Sequence, residues 1–355
     1  MTNFTDAIRL GHEEGLTRNP NSYIVGLGVN YQNGADGTTK GLVDSFKDRL
    51  LDTPVSEASV TGMCVGMAAG GLRPIVHHGR VEFALLAMDQ ILTQAAKWNF
   101  MFGGDYPCPF AARLNIGRQW GNGPQHTSSY NSLFLNTPGL DVFWPSRPAE
   151  ARFYTAKLHE ITSPTLQMEH RWLFKTIDEI SDINDISRAS KNGLPSAAVY
   201  GEHAKNVILT YGDGLVEALK VKEALWDANI TVICLTAFSG NRDLPNEIKS
   251  LIVGSENLIL VDTSNFEFGL LQGLVGRLAI GNYLPKKIIQ IAPPFTPVAT
   301  AASLIKDYYP TSPFICEVLE GTGVTKLKID KYNFDQINLP PEFNFSTWQP
   351  NYYVS

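Results

Sequence analysis

Short apolar runs alternate with helix-length runs along this chain, and glycine or proline marks most of the switches between them. Residues 5–18 carry Ala7, Ile8, Leu10 and Leu16 among acids and read as a helix. Asn19-Pro20-Asn21 stops it, and the run 23–27 reads as a buried strand. The pattern continues with a helix over 40–49, Leu50-Leu51, a small-residue helix over 58–70 and a strand over 72–76. An amphipathic helix over 83–98 and strands over 109–114 and 140–143 follow. After a polar, turn-rich stretch the rhythm restarts, with strands over 206–210, 231–235 and 258–262 and helices over 215–228 and 268–280. Strands alternating with helices predict parallel βαβ units. The expected fold class is therefore α/β, with two doubly wound domains. The expected boundaries are 1–180 and 196–326, joined by a linker at 181–195 and followed by an irregular tail at 327–355.

The length of 355 residues suits two domains, and 44% hydrophobic against 18% charged residues excludes disorder or collagen for the chain as a whole. Lys and Arg number 29 against 35 Asp and Glu, a net charge of −6. That balance argues against a nucleic-acid or anionic-membrane partner, since both need a basic surface. The four cysteines show no CxxC spacing and read as reduced core thiols. No charged segment followed by an apolar one opens the chain, and no run is long enough to cross a bilayer. The expected location is cytoplasmic.

Glu57 follows Ser56, an N-cap candidate, at the head of the small-residue helix. An acid there is usually structural, because the helix dipole favours it. Its functional reading is a carboxylate on an apolar surface, able to hydrogen-bond a heterocyclic nitrogen. Phe83 on spacing alone is a core residue. His126 ends the loop Gly117-Arg-Gln-Trp-Gly-Asn-Gly-Pro-Gln125, too glycine-rich for a helix and too polar for core, and is an acid/base candidate. His77 and His78 close a strand without an evident third metal ligand. Gly37-Thr-Thr-Lys40 lacks the Walker Gly-Lys pair, and Gly26-Leu-Gly28 lacks the third glycine of a dinucleotide fingerprint.

In order along the chain, Asp52-Thr-Pro-Val-Ser-Glu57-Ala, Gly71-Leu-Arg-Pro-Ile75, Phe83 through Met88-Asp-Gln-Ile91, Ala95-Ala-Lys97, Met101-Phe-Gly-Gly104, Gln125-His126 and Thr137-Pro-Gly-Leu140 form a set. This set resembles the β subunit of thiamine-diphosphate-dependent 2-oxo acid dehydrogenase E1 components, of the pyruvate dehydrogenase type. The likeness is tight in the first domain and looser in the second. It implies a transketolase-like fold, a pyrimidine-binding domain followed by a transketolase C-terminal domain. By motif, Glu57 meets N1′ of the cofactor's aminopyrimidine, Phe83 stacks on that ring, and His126 assists proton transfer near the substrate. The cofactor's ylid would attack a ketone carbonyl, and its ring would hold the electrons left by C–C cleavage as an enamine.

The resemblance further implies an α-type partner that carries the diphosphate and Mg²⁺, as in an α2β2 assembly, and it allows a lipoyl acyltransferase beyond that. Gly212-Asp213-Gly214, with Asn241 downstream, imitates the family's Mg²⁺ motif. It follows the first strand of the second domain, however, where E1 β chains have a plain turn, so no metal ligand is expected in this chain. Family members usually carry an acid at Leu27 and acidic and aromatic residues at His77 and His78, and a small-residue loop where Arg118, Gln119 and Trp120 stand. These departures put Arg118, Trp120 and His77 on the substrate side, with Arg118 suited to a carboxylate or phosphate. The leading expectation is E1-type decarboxylation of a pyruvate-like 2-oxo acid. The alternative is a two-chain transketolase-like or acyloin-type carboligase acting on a sugar or another ketone–aldehyde pair.

Overall fold

The computed structural model describes residues 1–117, 121–179, 186, 194–238, 243–265, 267–305, 308–326 and 343–354. Two open sheets organise them. The first has seven strands in the spatial order Ala237–Phe238, Asp141–Phe143, Thr165–His170, Ala111–Ile116, Arg73–His78, Ser22–Gly26 and Leu50–Leu51. All of its pairings are parallel except that of Ala237–Phe238, an edge strand contributed from the second half of the chain. The second sheet runs Lys287–Ile291, Asn257–Val261, Asn206–Tyr211, Ile230–Leu235, Ala197–Tyr200 and Tyr352–Val354. Its central strands are buried along their whole length, which is why they read as continuous apolar runs rather than alternating ones. The fold is α/β, with two largely parallel sheets flanked by helices. No helix among the described residues is long and apolar enough to cross a membrane.

Three local expectations change. The helix expected over 40–49 is a single turn, Val43–Phe46, followed by a 3₁₀ turn, Lys47–Arg49. The continuous helix expected over 83–98 starts at Val81 and ends at Met101, passing through a 3₁₀ turn, Leu85–Ala87, and a π segment, Asp89–Ala95. Such widened turns tip carbonyls out of the ladder. Beyond this one, Gly139 packs so closely on the Ala96 carbonyl that a Cβ would overlap it. The tail, expected to be irregular, supplies a 3₁₀ turn, Phe345–Thr347, and the strand Tyr352–Val354, which pairs antiparallel with Ala197–Tyr200. Val354 and Phe345 are buried, and an edge that would otherwise be open is covered. Of the linker expected at 181–195, residues 181–185 and 187–193 lie outside the described residues.

Beneath the first sheet, helix Phe4–Arg18 packs on helix Pro148–Leu158. Gly11 and Gly15 permit this approach, since a Cβ on either would run into Arg152 and Thr155 or into the His159 ring. The close approach brings two histidines together. Arg113 donates to His12 Nε2 (3.0 Å), His12 Nδ1 lies 3.0 Å from His159 Nε2, and His159 Nδ1 lies 2.6 Å from Ser22 Oγ. A guanidinium only donates, so each imidazole receives on one nitrogen and donates from the other. The chain ends where Ser22 Oγ donates to the Arg73 carbonyl (3.1 Å). Arg113 is held by a bidentate pair with Glu169, at 2.6 and 2.7 Å, and both side chains are fully buried.

The two domains meet through buried polar pairs. His170 Nδ1 lies 2.9 Å from Asp213 Oδ1. Asn131 donates to Tyr211 Oη (2.9 Å), and that hydroxyl donates to Asp262 (2.5 Å). Asp213, the acid of the Gly-Asp-Gly sequence, therefore belongs to the domain seam.

Candidate active site

Parallel strands open a crevice at their carboxyl ends, and here the strands Ser22–Gly26 and Arg73–His78 end beside the start of helix Glu57–Ala69. Gly26 has φ +150 and faces His77, its pairing partner, where a Cβ would come within 2.8 Å of the His77 carbonyl oxygen. Only glycine lets the strands close up at this point. Asp52 accepts from the Gly28 amide (2.6 Å), tying the loop after the first strand to the approach to Glu57.

The result is a cleft of about 410 Å³ that includes Glu57, Val60, Val76, His77 and Phe83 in its lining, with Leu27 and Asp36 also on its wall. Glu57 sits in the first turn of its helix, half-buried. Ser56 occupies the N-cap position but makes no side-chain capping bond, contrary to expectation. Thr61, one turn along, is 3.1 Å from His78 Nε2, so His78 props the helix rather than facing a metal. Burial lowers the His78 pKa to about 4, and the ring is neutral at pH 7.

His126 packs edge-on against Phe83, with ring centroids 5.6 Å apart and an interplanar angle of 66°. Phe83 is 37% exposed, so a ring face stays open. The loop carrying His126 is pinned at its end: Glu82 accepts from the Ser128 amide (2.7 Å), and Thr127 donates to the Gly123 carbonyl (2.7 Å). His126 Nδ1 is buried without a hydrogen-bond partner. His77 is 6% exposed, and its Nδ1 is likewise without a partner. Its pKa is well below the usual value, first through burial and then through the charge of Arg113, its neighbour across the sheet, with His78 and Arg80 adding.

The structure thus brings Glu57, Phe83 and His77 to one cleft and sets His126 against Phe83. Arg118, Trp120 and Asn241 lie outside the described residues. Sequence reasoning missed Glu82 and Asp36. Glu82 holds the histidine loop, and Asp36 accepts from Asn115 Nδ2 (2.7 Å) at the cleft wall. Asp36 has φ +49, a backbone state that the turn Gly34–Gly37 announces without revealing which way its acid points. Among the described residues no group of three His, Cys, Asp or Glu could hold a metal ion.

Comparison with known proteins fits this geometry. Residues 2–175 match the transketolase pyrimidine-binding domain family. The β subunit of acetoin:2,6-dichlorophenolindophenol oxidoreductase from Cupriavidus necator is 28% identical over 323 residues, covering 86% of this chain and 93% of that one. The mitochondrial pyruvate dehydrogenase E1 β subunit of Saccharomyces cerevisiae is 27% identical over 324 residues, covering 89% and 87%. Among solved structures, a split-gene transketolase in an inactive β4 tetramer superposes with a TM-score of 0.70 at 15% identity, covering 91% of this chain and 98% of that one. That last likeness concerns the fold. The chain has a transketolase-like fold, and its residues 2–175 match the pyrimidine-binding domain family of transketolases. Along most of its length it is similar to β subunits of pyruvate dehydrogenase E1 and of acetoin oxidoreductase.

Proposed function

We propose that this chain is the β-type half of a two-chain thiamine-diphosphate enzyme, acting as an E1 component that decarboxylates a pyruvate-like 2-oxo acid. The observation that carries this reading is a carboxylate, Glu57, at a helix start in an apolar-floored cleft whose lip is the Phe83–His126 pair. The aminopyrimidine half of the cofactor matches that donor set. It has a ring nitrogen for the carboxylate, a flat face for Phe83, and apolar edges for Val60 and Val76. When bound, the cofactor supplies a carbon nucleophile and an electron sink for C–C cleavage.

The chain's own residues do the rest. Glu57 holds a proton at the ring nitrogen through a charge-assisted hydrogen bond, strengthened because the cleft floor is apolar. Phe83 fixes the ring plane. His126 moves a proton at the substrate oxygen, and Glu82 keeps its loop in place. The diphosphate and Mg²⁺ are assigned to an α-type partner in an α2β2 assembly, in keeping with relatives that are themselves named as β subunits. Asp213 does not serve that role, because it is spent on His170 at the seam.

The reading is tested by mixing the chain with an α-type partner and supplying pyruvate with dichlorophenolindophenol as electron acceptor. Dye reduction that needs both chains supports it. Turnover of ketose–aldehyde pairs without any 2-oxo acid decarboxylation would replace it with the carboligase alternative.

A further inference from the structure

A second cavity, of about 550 Å³, lies on the other side of the His126 loop, between the two domains. One wall is the loop segment around Thr127, Ser128 and Ser129, with Glu82 behind it. The opposite wall comes from the second domain: Thr263 and Asn265 after the strand Asn257–Val261, then Phe295, Thr296, Tyr308 and Tyr309. Glu57 is not part of it, so nothing below depends on the cofactor reading.

Three observations define what this cavity would take. Its polar lining is almost entirely hydroxyl and amide. Thr263 is 4% exposed, and its hydroxyl has no hydrogen-bond partner, a deficit that a ligand hydroxyl can repair. Among the described residues the one carboxylate in the lining is Glu82 and no lysine or arginine is present, so an anion would meet repulsion from Glu82 and no counter-charge from these residues. Finally, Phe295 is 61% exposed, and Tyr308 stands edge-on to Tyr309 at 4.9 Å, giving flat apolar faces beside the hydroxyls. Aromatic faces alternating with neutral hydrogen-bonding groups suit a molecule with hydroxyls on one side and C–H groups on the other.

We propose that this interdomain cavity binds a neutral polyhydroxylated ligand, a sugar or polyol, with a hydroxyl on Thr263 and its C–H face on Phe295. The ligand then lies beside the loop that carries His126, with Gln125 and Thr127 of that loop in the same wall.

The test titrates the full chain with D-ribose, ribitol and ribose 5-phosphate by calorimetry, with ligand-observed NMR as a second readout. Ribose and ribitol bind saturably with a Kd in the millimolar range, as expected for about ten heavy atoms. Ribose 5-phosphate binds at least about tenfold more weakly, for want of a cation. Thr263→Val weakens ribose about fivefold, the cost of one hydrogen bond. Phe295→Ala, at a surface position that leaves folding intact, weakens it by about tenfold. The titration is unchanged in Glu57→Gln, so failure here and failure of the cofactor reading are separable. No saturation up to roughly 100 mM, tighter binding of ribose 5-phosphate than of ribose, or wild-type affinity in both cavity variants would each overturn the proposal.

Discussion

Acidification should destabilise this protein through its buried histidines, and the size of the effect follows from their surroundings. Burial, helped by the charges of Arg49 and Arg113, pushes His159 down to about 3, and burial pushes His78 to about 4. An unfolded histidine titrates near about 6.5. The folded pKa is the lower one, so between these values the unfolded chain binds more protons and stability falls as pH drops. From pH 8 to pH 5 each of these two histidines costs about 2 kcal/mol. His12 and His77, also held well below the usual range by burial and by Arg113, add in the same direction. Glu150 opposes them: burial raises it to about 7, so acidification returns about 2 kcal/mol over the same interval. His159 and His78 together outweigh Glu150 by about 2 kcal/mol, and His12 and His77 deepen that loss, against the roughly 5–15 kcal/mol that holds a domain together. Urea unfolding followed by circular dichroism at pH 8, 7, 6 and 5 reads it directly. In His159→Gln the pH-dependent part should shrink by about 2 kcal/mol even though the variant is less stable overall. Unchanged or rising stability toward pH 5 would refute the reasoning.

Other perturbations follow from the same coordinates. Glu150→Gln keeps an acceptor for the Ser146 amide (2.8 Å) and removes the alkaline loss of about 3 kcal/mol expected as pH rises from below 4.5 through 7; because that loss opposes the histidines, thermal melts at pH 6 and 8.5 should differ more than in the parent. Arg113→Met strands Glu169 and the acceptor nitrogen of His12 in the core, and chemical denaturation should show a loss of about 3–5 kcal/mol. Phe83→Ala removes the ring beside His126, and in the assembled enzyme it should weaken thiamine diphosphate by about tenfold in a fluorescence titration while leaving the unfolding midpoint near the parent value.

The parallel core was legible because strands buried on both faces, such as Ile230–Leu235 and Asn257–Val261, are mostly apolar and bounded by turns. The strand Tyr352–Val354 was not, because three residues carry no period and its pairing depends on a distant edge, Ala197–Tyr200. The π segment Asp89–Ala95 keeps an ordinary amphipathic pattern, so nothing in its residues separates it from an α-helix. At the site, Glu57, Phe83 and His126 were visible as motif residues, and the cleft that joins Glu57 to Phe83, with His126 packed on Phe83, comes from tertiary packing. The Arg113–His12–His159–Ser22 chain was invisible. Its members come from separate places in the chain and share no local spacing, and the Gly11 and Gly15 approach brings them together.

The central claim is that Glu57 activates the aminopyrimidine of a bound thiamine diphosphate. The direct measurement is hydrogen–deuterium exchange at C2 of the cofactor in the assembled two-chain enzyme, by quenched-flow NMR, in wild type and Glu57→Gln. The account predicts exchange that is fast in wild type and reduced by at least about a hundredfold in the variant, with the fold and the partner association intact. Exchange in Glu57→Gln at the wild-type rate would contradict it.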